Sequence, residues 1–189
     1  RIVNWDMGGP FKGVIPPANK ITGVHFYIYA TDLSGNSANS TLYALQGTIV
    51  GTIEYSNNGT VIPGVVVNLT NASGVVASTA TNASGNFNFT NVIPGNYNVN
   101  ASQPHFFGNS TSVAVAAGST NSVYMILWLK GDLDNDGQVA KAVDVNMMIQ
   151  ASVGDITPDF RYDLNGDGVP GNAVDVNMMI QASVGDIIL

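Results

Sequence analysis

The sequence predicts a multidomain chain, an all-β sandwich followed by a small all-α tail built around two cation-holding loops. Three observations lead there. Short apolar runs broken by Gly, Asn and Pro fill residues 46–130, the punctuation of an all-β sandwich. The segment Val143–Ile156 recurs unchanged as Val174–Ile187, an offset of 31 residues. Ten of the thirteen acidic residues are Asp within 131–189, where Lys141 and Arg161 are the only basic ones. The tail thus stands at −8 and everything before it at +1. So compact an acidic block solvates a surface or holds cations. It excludes a nucleic-acid partner, which needs a basic face.

Residues 1–45 hold a β pattern without a clear start. Gly23–Asp32 is rich in aromatic and β-branched residues, Leu33–Asn36 reads as a turn, and Ser40–Tyr43 as a further strand. The stretch from Phe11 through Ile15-Pro16 to Tyr29–Asp32 and Gly35-Asn36 resembles the C-terminal half of immunoglobulin-like or fibronectin-like surface domains. Residues 46–130 follow as a second unit. Strands are expected at Gly47–Tyr55, Gly64–Leu69, Phe87–Thr90, Tyr97–Ala101, Val113–Ala116 and Val123–Leu129, separated by turns such as Asn57-Asn58-Gly59 and Ala72-Ser73-Gly74. With Gly64–Val67, Asn82–Phe87 and Ile93–Tyr97, this block resembles the carboxypeptidase-regulatory-like or collagen-adhesin B-type sandwich, an Ig-like/prealbumin-like fold. Some relatives carry a Lys–Asn isopeptide crosslink. Residues 46–129 contain no Lys, so none is expected here.

The chain has no Cys, which rules out disulfides and thiolate metal sites. No apolar run is long enough to span a membrane. A start at Arg1 without a signal peptide suggests a processed, trimmed or partial piece of something longer. His25 and His105 have no partner in sequence, and no nucleophile–base pattern or phosphate loop stands out, so no active site is expected and the chain reads as non-enzymatic. Eight Asn-x-Ser/Thr sequons, at Asn39, Asn58, Asn68, Asn71, Asn82, Asn88, Asn100 and Asn109, all precede the tail. At Asn68, Asn88 and Asn100 the Asn alternates with apolar neighbours, which on a strand turns it outward. An exported glycoprotein, extracellular or on the cell surface, is the expectation.

The repeat carries the chemistry. Calcium takes six to eight oxygen ligands, and an EF-hand loop supplies side chains from positions 1, 3 and 5, a Gly at 6 and a backbone carbonyl at 7. Asp132, Asp134, Asp136, Gly137 and Gln138 fill those places in the first copy; Asp163, Asn165, Asp167, Gly168 and Val169 fill them in the second. The closing carboxylates are assigned to Asp144 and Asp175, at the start of each following helix, where the helix dipole favours negative charge. They fall at position 13 rather than 12, and Asp replaces the usual Glu, so each loop is one residue longer than standard. Two calcium ions are expected.

Gly-Asp-x-[Asp/Asn]-x-Asp-Gly, then a helix and a linker, then the same again resembles a dockerin module. It looks closest to archaeal dockerin-like modules, with Gly168-Val169-Pro170 in the longer loop. A sandwich before it is similar to the accessory-domain–dockerin units of cellulosomal, carbohydrate-degrading complexes. Such a resemblance implies docking to a cohesin-like domain through Ala142-Val143 with Ile149-Gln150 and Ala173-Val174 with Ile180-Gln181. The charged and hydroxyl residues usual there are absent. Val145, Met148, Ile149 and Val153 form the expected core stripe, with Met147 beside it, and Met178 in the second copy, as candidate partner contacts. Three roles follow: an assembly module docking a cohesin-like partner, a calcium-stabilised subunit contacting its neighbours in a surface layer or filament, or the tail of an extracellular enzyme.

Overall fold

Alternation of apolar and polar side chains from Gly47 onward resolves into two facing sheets. The computed structural model describes residues 45–189 throughout. Ahead of them it describes only His25–Phe26, Tyr29–Thr31, Gly35, Ser37–Asn39 and Tyr43–Ala44. In that leading part β1 (His25–Phe26) pairs with β4 (Tyr43–Ala44), and β2 (Tyr29–Thr31) with β3 (Ser37–Asn39), both antiparallel. The Phe11–Pro16 stretch, most of the Leu33–Asn36 turn, Ser40–Leu42 and the side chains of His25 and Asn39 lie outside the described residues.

The sandwich proper has eight strands: β5 (Gly47–Tyr55), β6 (Val66–Asn71), β7 (Gly74–Ala80), β8 (Asn86–Val92), β9 (Gly95–Ser102), β10 (Phe106–Phe107), β11 (Asn109–Val115) and β12 (Thr120–Leu129). One sheet runs β10-β12-β5-β8 and the other β11-β9-β6-β7. Every pairing is antiparallel except β12 with β5, which run parallel from Thr120↔Thr48 to Leu127↔Tyr55. The inner faces bury Ile49, Ile53, Phe87, Phe89, Met125 and Leu127 against Val67, Leu69, Val99, Ala101 and Val115. Burial of apolar area at roughly 25 cal/mol per Å² is what holds the two layers together. At Gly51 no side chain fits, because a Cβ would run into the Phe87 ring and the Val123 carbonyl oxygen. The buried hydroxyl of Thr81 is satisfied at both ends, donating to the Ile62 carbonyl (2.6 Å) and accepting from the Val65 N–H (2.9 Å).

The six expected runs of this block all fall on strands, with β5 matching Gly47–Tyr55 at both ends. Two strands lie outside that expectation. β7 is an edge strand whose side chains are exposed or half-buried, with no regular apolar run to mark it, and β10 is two residues long. The sequon asparagines on strands behave as alternation requires. Asn88 is exposed between buried Phe87 and Phe89, while Asn68 and Asn100 are half-buried between buried neighbours.

After β12 the chain forms α1 (Ala142–Ser152) and α2 (Ala173–Ser183), joined through a 3-10 turn at Phe160–Tyr162. The helices pack on each other over Leu133, Ala140, Met148, Ala151, Tyr162, Leu164 and Met179, with Phe107 of β10 against the same cluster. At 11 residues each, neither helix is long and apolar enough to cross a membrane.

The buried face of the helices differs from the expected stripe. Asp144, Met148 and Ala151 are buried on α1, with Met147 half-buried against the tail core, whereas Ile149 and Val153 are 42% and 67% exposed. Apolar residues occur almost all round this helix, so its hydrophobic pattern does not choose a face. The burial of Asp144 under the loop does. Residues i, i+3, i+4 and i+7 counted from Asp144 then face inward.

Candidate metal centre

Each loop is a short acidic chain wound round its own carboxylates. In the first, positive φ at Asn135 (63°) and Gly137 (89°) turns the backbone tightly. Asp132 accepts the N–H of Asp136 on Oδ1 (3.0 Å) and of Gly137 on Oδ2 (2.9 Å). Asp134 accepts from the Asp136 N–H (3.1 Å), and Asp136 from the Gln138 N–H (2.7 Å) and the Gln138 side-chain amide (3.1 Å). The second loop repeats the pattern. Asp163 accepts from the N–H groups of Gly166, Asp167 and Gly168 (2.8, 3.1 and 2.9 Å), Asn165 from that of Asp167 (2.9 Å), and Asp167 from that of Val169 (2.8 Å).

In the first loop one carboxylate oxygen from each of Asp132, Asp134 and Asp136 lies within 4.8 Å of the others. Three like charges at that range repel one another, and all their donors are oxygen. The set fits a hard divalent cation such as calcium. In the second loop Asn165 replaces the middle carboxylate and donates its amide to Asp167 (2.8 Å). That bond, with the Val169 N–H and the Asn172 amide, holds the Asp167 carboxyl below its ordinary range. The Val169 carbonyl accepts the same Asn172 amide (2.9 Å).

Asp144 and Asp175 are the buried acids that follow each loop. Asp144 is 1% exposed and spreads its oxygens over the N–H groups of Leu133 (2.7 Å), Asp134 (3.3 Å) and Lys141 (2.8 Å). Asp175 does the same with Leu164, Asn165 and Asn172 (2.8, 3.3 and 3.0 Å). Both occupy the third helical position, where an acid closes the helix start by accepting the cap N–H. Burial pushes the Asp144 carboxyl above its ordinary value against the pull of its three N–H donors.

The partner-facing candidates divide. Ala142, Val143 and Ile149 are exposed on α1, and Ala173, Val174 and Ile180 on α2, while Gln150 and Gln181 are half-buried. Met147 and Met178 are half-buried and pack against the tail core. Of the sequon side chains, Asn58, Asn71, Asn82, Asn88 and Asn109 are exposed.

Contacts invisible in the sequence tie the tail to the sandwich. The Tyr55 hydroxyl, at the end of β5, donates to Asp132 Oδ2 (2.5 Å). Burial first, then the neighbouring Asp132, push the Tyr55 phenol well above its ordinary value. Ser56 Oγ meets Asn135 Oδ1 (2.7 Å), and the Asn135 amide donates to the Ser56 carbonyl (3.1 Å). Arg161 lies over the Trp128 ring (4.8 Å) and donates to the Leu133 carbonyl (3.0 Å). Phe160 sets its edge against Phe107 (5.6 Å) and Trp128 (6.4 Å). Tyr55 and Asp132 are 77 residues apart, and only the end of an expected strand beside a polar turn marked Tyr55 in advance.

Residues 48–127 match the family model of the carboxypeptidase regulatory-like domain. That sandwich is similar to this family; the match stops before the two loops. No curated protein matches the chain. Among solved structures it is similar to the Bacillus anthracis TIE protein at 13% identity and a TM-score of 0.42, over 58% of this chain and 27% of that one. The minor pilin of Streptococcus agalactiae matches at 15% identity and a TM-score of 0.39, over 59% of this chain and 63% of the pilin. A type II cohesin–X–dockerin complex from Acetivibrio cellulolyticus matches at 21% identity and a TM-score of 0.38, over 71% of this chain and 94% of that one. The chain therefore spans about a quarter of the first of these and under two thirds of the second.

Proposed function

We propose that this chain is a non-catalytic assembly module, extracellular or at the cell surface, whose calcium-loaded tail docks a cohesin-like β-sandwich partner. The observation behind this reading is duplication. Two copies of an acidic loop each precede a helix that exposes the same residues, Val143 and Ile149 in one, Val174 and Ile180 in the other. In this reading Asp132, Asp134, Asp136 and the Gln138 carbonyl hold one ion with Asp144 as closing ligand. Asp163, Asn165, Asp167, the Val169 carbonyl and Asp175 hold the second. Bound calcium would offset much of the charge of each cluster and, because the unfolded chain has no preformed site, add its binding free energy to the folded tail. Ala142, Gln150, Ala173 and Gln181 complete the two docking faces, and exposed sequons such as Asn58, Asn82 and Asn88 carry glycans.

The test is capture from surface extracts of the source organism with the full chain as bait, in calcium and in chelator. A calcium-dependent catch containing a cohesin-like β-sandwich is the expected result. A calcium-loaded, folded bait that retains none overturns the docking role. A second reading, a calcium-stabilised subunit of a surface layer or filament, draws support from the contact between the tail and its own sandwich and from the apolar character of the docking positions. It predicts self-association of the purified chain in calcium.

A further inference from the structure

The two loops share one design, yet only the first is touched by the sandwich. Gly137 marks the difference: a Cβ there would come within 2.7 Å of the Asn57 amide nitrogen, whereas the equivalent Gly168 has nothing within 4 Å. Asp132 is 2% exposed, and its partner outside the loop is the Tyr55 hydroxyl. The ring behind that hydroxyl is fixed edge-on to Phe106 at 5.7 Å. Asn135, the loop residue with φ 63°, exchanges bonds with both the side chain and the backbone of Ser56. The side chains of Asp163 and Asn165, by contrast, bond within their own loop, and the Asn165 N–H donates to Asp175.

We infer that the first loop is a site shared by two domains, in which Tyr55 and Ser56 of the sandwich hold Asp132 and Asn135 ready for the cation, while the second loop binds alone. This rests on the calcium reading given above. Groups that hydrogen-bond to a metal ligand fix its orientation, and their loss typically costs 10- to 100-fold in metal affinity. Tyr55 is thus a positioning residue, acting through Asp132. Linkage makes the effect mutual: whatever factor the seat adds to calcium affinity at the first loop, calcium returns to the seat. Filling the first loop then fixes the angle at which the tail leaves the sandwich, and filling the second does not.

Calorimetric calcium titration of the full chain tests this in two backgrounds. Asp163→Ala with Asp167→Ala leaves the first loop alone, and Asp134→Ala with Asp136→Ala leaves the second alone. Tyr55→Phe keeps the ring and removes only the hydroxyl. It is expected to weaken calcium binding about tenfold or more in the first background, and to leave the second unchanged. Ser56→Ala should show a smaller loss with the same selectivity. Unchanged affinity in both backgrounds, or equal weakening in both, overturns the inference, the latter because it reports a general loss of structure. Absence of calcium binding in the parent chain sinks the calcium reading itself, and this inference with it.

Discussion

Residues 143–156 and 174–187 are the same fourteen amino acids, and the comparison separates what sequence dictates locally from what neighbours impose. Matched positions reach almost the same exposure: 53% and 51% at Val143 and Val174, 42% and 44% at Ile149 and Ile180, 67% at both Val153 and Val184. Each helix sees the other as its main partner, so an identical helix buries nearly the same face, Ala151 being buried and its counterpart Ala182 half-buried. The loops ahead of them diverge, because the sandwich reaches the first and leaves the second in solvent. Asp132 is buried and Asp163 only half-buried. The helix starts diverge as well. Asn172 caps α2, accepting the N–H groups of Val174 and Asp175, while Lys141 in the equivalent place offers no acceptor.

Mutations can break or sharpen this pairing. The largest effect is expected at the shared core. Met148→Ala and Met179→Ala each empty a position that is 0% exposed, and each should cost about 2–5 kcal/mol in urea unfolding. If one costs several times the other, the helices are less equivalent than their burial implies. Phe160→Ala removes the aromatic edge seated on Phe107 and Trp128. Because Phe160 is 55% exposed, a loss of about 1–2 kcal/mol is expected. It should appear with a change in Trp128 emission, read in a Trp5→Phe background. An unaltered Trp128 signal would mean that this contact does not seat the tail. At the helix starts, Asn172→Ala should cost about 1 kcal/mol, whereas Lys141→Ala should leave stability unchanged, measured by thermal melting of the full chain.

The smallest effect belongs to the ion pair beside the seat, where Arg161 Nη2 lies 2.9 Å from Asp159 Oδ2. Burial pulls the Asp159 carboxyl upward, but the hydrogen bonds and charge of Arg161 outweigh it and hold the group below its ordinary range. An acid depressed in the folded state adds stability above its unfolded pKa and loses it as pH falls through the folded one. With Asp159 48% exposed, the contribution is under about 1 kcal/mol. Asp159→Asn should therefore lower stability slightly at neutral pH and match the parent in strong acid. A difference that persists in acid would mean the side chain acts through packing rather than charge.

Much of this arrangement was legible in the chain itself. Apolar alternation located six of the eight sandwich strands, the repeat located both helices, and the Asp spacing located three carboxylates that do converge. Two things were hidden, each for a physical reason. The inward face of α1 depends on Asp144, a charged residue whose burial rests on three backbone N–H donors from the loop, and no hydrophobic count weighs that. The seat of the tail depends on Tyr55, Ser56, Phe107 and Trp128 meeting residues far along the chain, and nothing in the local sequence marks them as partners.

The parallel pairing of β5 and β12 also has a mechanical meaning. The chain enters the sandwich at Gly47, one end of β5, and leaves for the tail at Leu129, the opposite end of β12. Those two strands lie side by side through register pairs from Thr48 to Tyr55. Tension applied between the leading residues and a held tail runs along both strands at once. It loads their evenly spaced ladder bonds together, in shear, instead of peeling them apart one by one. In that geometry a pull between the two ends of the sandwich is opposed by the β5–β12 ladder as a whole.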